Sequence, residues 1–202
     1  MDIYTLVLGC CATNTYVLVE NGRAVVVDPA DEAERICSFV ARKQAIVEQV
    51  LITHGHFDHI KAARELQKCG AEIYMSGTDY GLVDFGNVNS VFGAPSDRFV
   101  LDVEVRDGHE FEISGHIFKV LETPGHTVGS VCYIMDDGII FSGDTLFKLG
   151  VGRTDFPHGN FSELKRSLKK LFALSHDYRV LPGHGCETSL YFEKHNNAYA
   201  NY

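Results

Sequence analysis

Short apolar runs, each ended by a turn signal, recur along the chain and predict an alternation of strands and helices. The runs Tyr16 to Glu20 and Ala24 to Asp28 flank Asn21-Gly22, a dipeptide that suits the left-handed residues of a two-residue hairpin. A helix from about Glu32 to Lys43 follows, and Gln49-Val50-Leu51-Ile52-Thr53 reads as the next strand. Ile60, Ala63 and Leu66 fall at helical spacing with Gly70 to close the segment, so one face of a helix is expected to be buried there. Phe118 to Glu122, Val131 to Met135 and Ile139 to Phe141 read as strands, with Asp136-Asp137-Gly138 turning between the last two. Asn160 with Glu163 is a capping pair at the head of a helix carrying Leu164, Leu168, Leu171 and Phe172. Each half of the chain supplies strands and covering helices, an α/β pattern.

The 202 residues are 45% apolar and contain no linker or low-complexity tract, so one domain over 1–202 is expected. No stretch approaches the ~18 apolar residues of a membrane span, and the start Met1-Asp2-Ile3-Tyr4 has no basic segment leading into a long apolar run. A cytoplasmic protein that does not engage a membrane is the expectation. Six cysteines (Cys10, Cys11, Cys37, Cys69, Cys132, Cys186) show neither a Cys-x-x-Cys motif nor a disulfide framework, so free thiols in a reducing compartment are expected. The formal charge of −9, with no long Lys/Arg run to form a basic face for phosphate, argues against nucleic acid as a partner. Part of that charge is carboxylate that bound cations would offset, so it says little about the charge of a substrate.

The chemistry lies in Thr53-His54-Gly55-His56-Phe57-Asp58-His59, with His126 in Thr-Pro-Gly-His, Asp144 in Ser-Gly-Asp-Thr and His184 in Pro-Gly-His-Gly. Imidazole and carboxylate are ligands for a borderline divalent cation, and seven are too many for one tetrahedral ion but suit two ions sharing an oxygen. His54 and His56 flank a glycine on the loop leaving a strand and can turn to one ion. Asp58 and His59 open a helix and can address a second. Asp28, ending Val25-Val26-Val27, is either a carboxylate supporting a ligand histidine or a strand-end turn before Pro29. His109, His116, His158, His176 and His195 fall outside the motif and are expected at the surface or in turns.

The His-x-His-x-Asp-His run followed by His, Asp and His resembles the metallo-β-lactamase superfamily along essentially the whole chain. The resemblance implies a four-layer αβ/βα sandwich (metallo-β-lactamase fold). It implies two divalent ions, zinc first with iron or manganese as alternatives: one held by His54, His56 and His126, the other by Asp58, His59 and His184, with Asp144 bridging. Drug-hydrolysing lactamases usually carry Cys at the Asp144 position, and the flavodiiron branch carries Glu at the His56 position. Ser142-Gly143-Asp144-Thr145-Leu146-Phe147 and Gly152-Arg153-Thr154-Asp155-Phe156-Pro157 look like the glyoxalase II subgroup, whose members hydrolyse glutathione thioesters. The closing run through Thr188, Glu193, Lys194 and Asn196 is similar to its short bacterial relatives, which lack a C-terminal helical domain.

This implies a small-molecule thioester or ester substrate and hydroxide held by the metals as nucleophile, with Asp58 as an alternative proton acceptor. Arg153, matching a glutathione-binding basic residue, is a candidate for a substrate carboxylate, and Lys148 is either a second such group or a solvated loop charge. Cys186, where longer enzymes place a Tyr near the thiol, either touches substrate or is a small buried residue. Tyr80, Phe85 and Phe92 line the substrate mouth or pack as core or lid. Two alternatives remain. A mononuclear-iron persulfide dioxygenase also shows Gly-Arg-Thr-Asp-Phe and binds iron through residues matching His54, His126 and Asp144. A lactonase or other ester hydrolase would use the same site. The sequence leaves the oligomeric state open.

Overall fold

A computed structural model describes residues 1–83 and 98–200; Phe85 and Phe92 lie outside the described residues. The chain divides into two compact units, Met1–Val105 and Arg106–Tyr202.

The first unit is built on a six-stranded sheet in sequence order: β1 (Asp2–Leu8), β2 (Thr13–Glu20), β3 (Arg23–Val27), β4 (Ile46–Leu51), β5 (Glu72–Ser76) and β6 (Val103–Val105). β1 to β3 are antiparallel, and β3 to β6 run parallel. Glu20 pairs with Arg23 across Asn21-Gly22, both at positive φ, as the hairpin signal predicts. The parallel connections need helical crossovers. Helix α1 (Ala33–Arg42) joins β3 to β4 and buries Ile36 and Val40 against Val26, Val50 and Ile73.

The segment after β4 departs from the single helix that its spacing predicts. It forms α2 (Phe57–Ile60) and α3 (Ala63–Lys68), broken at Lys61-Ala62. The Ala62 N–H donates to the Pro29 carbonyl at 3.0 Å instead of to its own helix, so a tertiary bond replaces the local one. Ile60, Ala63 and Leu66 are nonetheless fully buried. A short α4 (Gly77–Tyr80) follows β5. Tyr80 packs against the core and donates to the Phe99 carbonyl at 2.9 Å, which is the packing alternative for that residue.

The second unit's sheet has the order β14-β13-β10-β9-β8-β7. β7 (Glu110–Ile113), β8 (His116–Glu122), β9 (Val131–Met135) and β10 (Ile139–Gly143) form an antiparallel meander. β13 (Arg179–Pro182) runs parallel to β10, and β14 (Thr188–Ser189) is antiparallel to β13. A small hairpin, β11 (Leu146–Phe147) with β12 (Gly150–Val151), stands apart. Helix α5 (Phe161–Phe172) buries Leu164, Leu168 and Leu171 against Cys132, Ile140 and Val180, and α6 (Leu190–Asn196) closes the described chain. Only half of the predicted capping pair forms. Asn160 Oδ1 accepts from the N–H groups of Ser162 and Glu163, while the Glu163 carboxylate pairs with Arg166 one turn on. The Asn160 N–H already donates to the Gly125 carbonyl at 2.7 Å, which removes the donor that a capping glutamate would take.

Among the described residues no helix is long and apolar enough to cross a membrane, and no cysteine is in a disulfide. None of the five histidines outside the motif is buried. Asn160→Ala removes the cap acceptor and both its hydrogen bonds and is expected to cost about 1 kcal/mol, whereas Leu168→Ala, opening a cavity in the core, should cost about 2–5 kcal/mol. Denaturant titration measures both; equal costs would contradict this assignment of cap and core.

Candidate metal centre

In the first unit the site grows from the ends of two parallel strands. Asp28 follows β3 at φ 49°, a left-handed conformation disfavoured for a residue with a Cβ. Its N–H donates to the Leu51 carbonyl at 2.9 Å and its carbonyl accepts from Thr15 Oγ1 at 2.6 Å, so the backbone is held on both sides. The side chain is 2% exposed. Oδ1 accepts from the Thr53 N–H at 2.8 Å, and Oδ2 accepts from Thr53 Oγ1 at 2.8 Å and from His59 Nδ1 at 2.9 Å.

Counting hydrogens fixes the tautomers. A hydroxyl has one proton, and Thr53 gives its proton to Asp28; the 3.0 Å contact between Thr53 Oγ1 and His54 Nδ1 therefore has the ring N–H donating. His59 likewise donates from Nδ1, because the carboxylate can only accept. In both rings the other nitrogen, Nε2, carries the lone pair that a cation takes, and both Nε2 atoms are buried.

His54 and His56 stand with ring centroids 4.8 Å apart, His54 and His59 at 4.1 Å. Asp58 Oδ2 accepts from Thr13 Oγ1 at 2.9 Å and lies 3.6 Å from His59 Nε2. The unit thus brings together His54, His56, Asp58 and His59, with Asp28 hydrogen-bonded to Thr53 and His59.

In the second unit His126, Asp144 and His184 come together. Asp144 Oδ2 is 3.5 Å from His126 Nε2 and 3.5 Å from His184 Nε2. These separations are long for hydrogen bonds, but two atoms sharing a tetrahedral ion at about 2.1 Å sit about 3.4 Å apart. The same carboxylate oxygen is thus equally near both ring nitrogens. His126 Nδ1 donates to the Arg153 carbonyl at 2.7 Å, again leaving Nε2 as the acceptor nitrogen. Gly152 makes room for this approach: a Cβ there would meet the Asp144 carbonyl oxygen at 1.8 Å.

The predicted substrate contacts are placed less favourably. Arg153 is exposed; its fork binds both oxygens of Asp155 at 2.7 Å, and its guanidinium lies 3.9 Å from the Phe156 ring centroid. A substrate carboxylate would have to displace Asp155. Lys148 is exposed on the turn between β11 and β12. Cys186 is exposed as well, which corrects the expectation of a small buried residue: β13 ends at Pro182 and the chain runs over the surface until β14.

Four supporting residues escaped the sequence reading. Thr53 and Thr13 orient His54 and Asp58 as described. Asp79, fully buried on α4, accepts from the Gly55 N–H at 2.9 Å and holds the link between His54 and His56. Glu193, fully buried on α6, accepts from the Leu149 N–H, Thr188 Oγ1 and Asn197 Nδ2 at 2.9, 2.6 and 2.8 Å. It ties the turn that follows Asp144 to the segment that follows His184. The adjacency of Thr53 to the motif was a usable signal. Asp79 carries none, and Glu193 was read only as part of the closing run that resembles the short bacterial relatives; only the folded chain shows what the two residues hold.

A family model described as the metallo-beta-lactamase superfamily matches residues 8–184. The chain is 35% identical over 185 residues to the hydroxyacylglutathione hydrolase GloC of Haemophilus influenzae, covering 88% of this chain and 87% of that protein. Among solved structures it is similar to the BLEG-1 B3 metallo-beta-lactamase, with TM-score 0.93, 29% identity and full coverage of both chains. It is also similar to TTHA1623 in a di-iron-bound form, with TM-score 0.86, 31% identity and coverage of 97% of this chain and 99% of that one.

Asp28→Asn places an amide N–H against donors that now meet a carboxylate, and is expected to cost about 2–3 kcal/mol in denaturant titration; an unchanged midpoint would contradict the network. The hydrogen bonds from Arg153 hold the exposed Asp155 carboxyl down at about 2. A depressed carboxylate favours the folded pair above the ordinary carboxylate range and loses it only as pH falls through about 2. NMR titration should show Asp155 ionised through mildly acidic pH, and Arg153→Ala should return it to the ordinary range.

Proposed function

The chain belongs to the metallo-beta-lactamase superfamily and has its α/β fold, and within that superfamily we propose that it is a binuclear metal-dependent hydrolase of small thioesters, of hydroxyacylglutathione type. His54, His56 and His126 would hold one divalent ion, Asp58, His59 and His184 the other, and Asp144 both. The observation that carries this is the hydrogen accounting. His54, His59 and His126 each spend Nδ1–H on the protein and present Nε2 as a base, and carboxylate oxygens lie 3.5–3.6 Å from ring nitrogens, the spacing of co-ligands. The donor set of imidazole and carboxylate suits zinc, with iron or manganese close behind.

Bound divalent cations would supply Lewis acidity, lowering the pKa of water toward ~7 and stabilising charge that develops on a carbonyl oxygen. The chain's own residues do the rest. Asp28 and Thr53 keep His54 and His59 from turning, so the ligands are set before substrate arrives. Asp58, fixed by Thr13, is the carboxylate placed to hold a proton, with ligation as its main use. A thiol leaves readily, so no strong general acid is needed, and none of the described side chains beyond the ligand set has to serve as one.

Support for a thioester comes from the likeness to the Haemophilus influenzae hydroxyacylglutathione hydrolase, and for two ions from the di-iron-bound neighbour. The exposed Arg153 and Lys148 are the cationic groups for a carboxylate-bearing thiol carrier, and Cys186 is accessible to it. A cytoplasmic setting fits six cysteines outside disulfides.

A thioester panel beginning with S-lactoylglutathione tests the proposal, with simple lactones and oxygen uptake with a persulfide as the competing assays. Asp144→Ala and His56→Ala should each lower metal content. Each should also reduce hydrolysis by more than the ~10–100-fold that loss of a supporting hydrogen bond costs. Retained activity in either variant would sink the binuclear site. Lactone turnover without thioester turnover would move the substrate class, and oxygen uptake would move the reaction to the dioxygenase.

A further inference from the structure

Cys37 and Cys69 meet at the far end of β4 from the ligands. Ile46 begins that strand and His54 follows its end; six residues at about 3.3 Å each put about 20 Å between the two places. There the C-terminal half of α1 and the end of α3 frame a cavity of about 440 Å³, lined among others by Cys37, Val40, Ala45, Ile46, Leu66 and Cys69. Both thiols line this cavity, Cys37 from α1 and Cys69 from the end of α3. Cys37 is half-buried on α1, and Cys69, which caps α3, is exposed.

We propose that Cys37 and Cys69 form a reversible redox site that reacts with a low-molecular-weight disulfide and closes into an intrachain disulfide pinning α1 to the end of α3. Three observations on the structure carry this: two thiols lining one cavity, one of them open to solvent, and the mainly apolar character of that cavity, which suits a small disulfide.

The order of reaction follows from exposure. Cys69 attacks one sulfur of the small disulfide, forming a mixed disulfide and releasing the first small thiol. Burial, and next the neighbouring Cys69, push the Cys37 thiol up, and the exposed Cys69 is the one a small disulfide reaches first. The Cys37 sulfur then attacks Cys69 Sγ, the mixed S–S bond breaks, and the second small thiol leaves, its proton replacing the one that Cys37 gives to solvent. Two protein thiols are oxidised by two electrons and one small disulfide is reduced to two thiols. The loop closed in this way contains His54, His56, Asp58 and His59, so the thiol pair bears on the segment that supplies the first unit's ligands.

The reaction needs no metal and is independent of the proposed hydrolysis. The test treats the full-length protein with glutathione disulfide and follows intact mass and peptide mapping. Wild type should lose two hydrogen masses with a Cys37–Cys69 cross-link, reversed by dithiothreitol. Cys37→Ser should stop at a glutathione adduct on Cys69, and Cys69→Ser should form neither adduct nor cross-link at Cys37. A stable glutathione adduct on Cys69 of the wild type, no reaction at either residue, or a cross-link confined to the exposed neighbours Cys10 and Cys11 would overturn the proposal.

Discussion

Asp28 is the point on which the first unit's site depends. One buried carboxylate, on a left-handed residue at the end of β3, receives three hydrogen bonds and hands them on to two candidate ligands. Burying a charge is costly unless every lone pair is used, and here the use is orientation. Through Thr53 it sets His54, and directly it sets His59. The parallel pairing of β3 with β4 brings Asp28 beside Thr53, since Val27 pairs with Leu51 and both chains then turn out of the sheet. The sheet's register and the tautomers of the histidines are one constraint.

The second unit reaches the same end by other means. Behind His126 a backbone carbonyl, that of Arg153, takes its Nδ1–H. That carbonyl is placed by the β11–β12 hairpin, which a glycine at 152 lets pass close to Asp144. Glu193 holds the hairpin's turn from below, through the Leu149 N–H. In both units the polar groups that matter most are buried, and they spend hydrogen bonds on fixing other polar groups. This is the pattern of sites that are set in advance of their ligand.

Much of this was legible in the sequence where local chemistry decides. The Asn21-Gly22 hairpin, the helix ending near Lys43, three strands of the second sheet (β8, β9 and β10) and the buried face of Ile60, Ala63 and Leu66 follow from turn residues and periodicity, and they stand in the structure. The clustering of these histidines and carboxylates was legible because imidazole and carboxylate at such spacing have few other uses. What was not legible depends on partners distant along the chain. The break between α2 and α3 is made by the Pro29 carbonyl, thirty-odd residues earlier, and the missing half of the α5 cap by the Gly125 carbonyl. Asp79 and Glu193 look like ordinary acidic residues until folding buries them. The choice between the two readings of Asp28 needed the register of β3 on β4. Cys186 was read from its neighbour His184, but exposure is set by where β13 ends.

Metal identity and stoichiometry, by elemental analysis of protein purified without added metal or chelator, tests the central claim most directly. The account predicts about two divalent ions per chain, zinc alone or with iron or manganese. A single iron per chain with little zinc would contradict the binuclear reading and turn the chemistry toward oxygen.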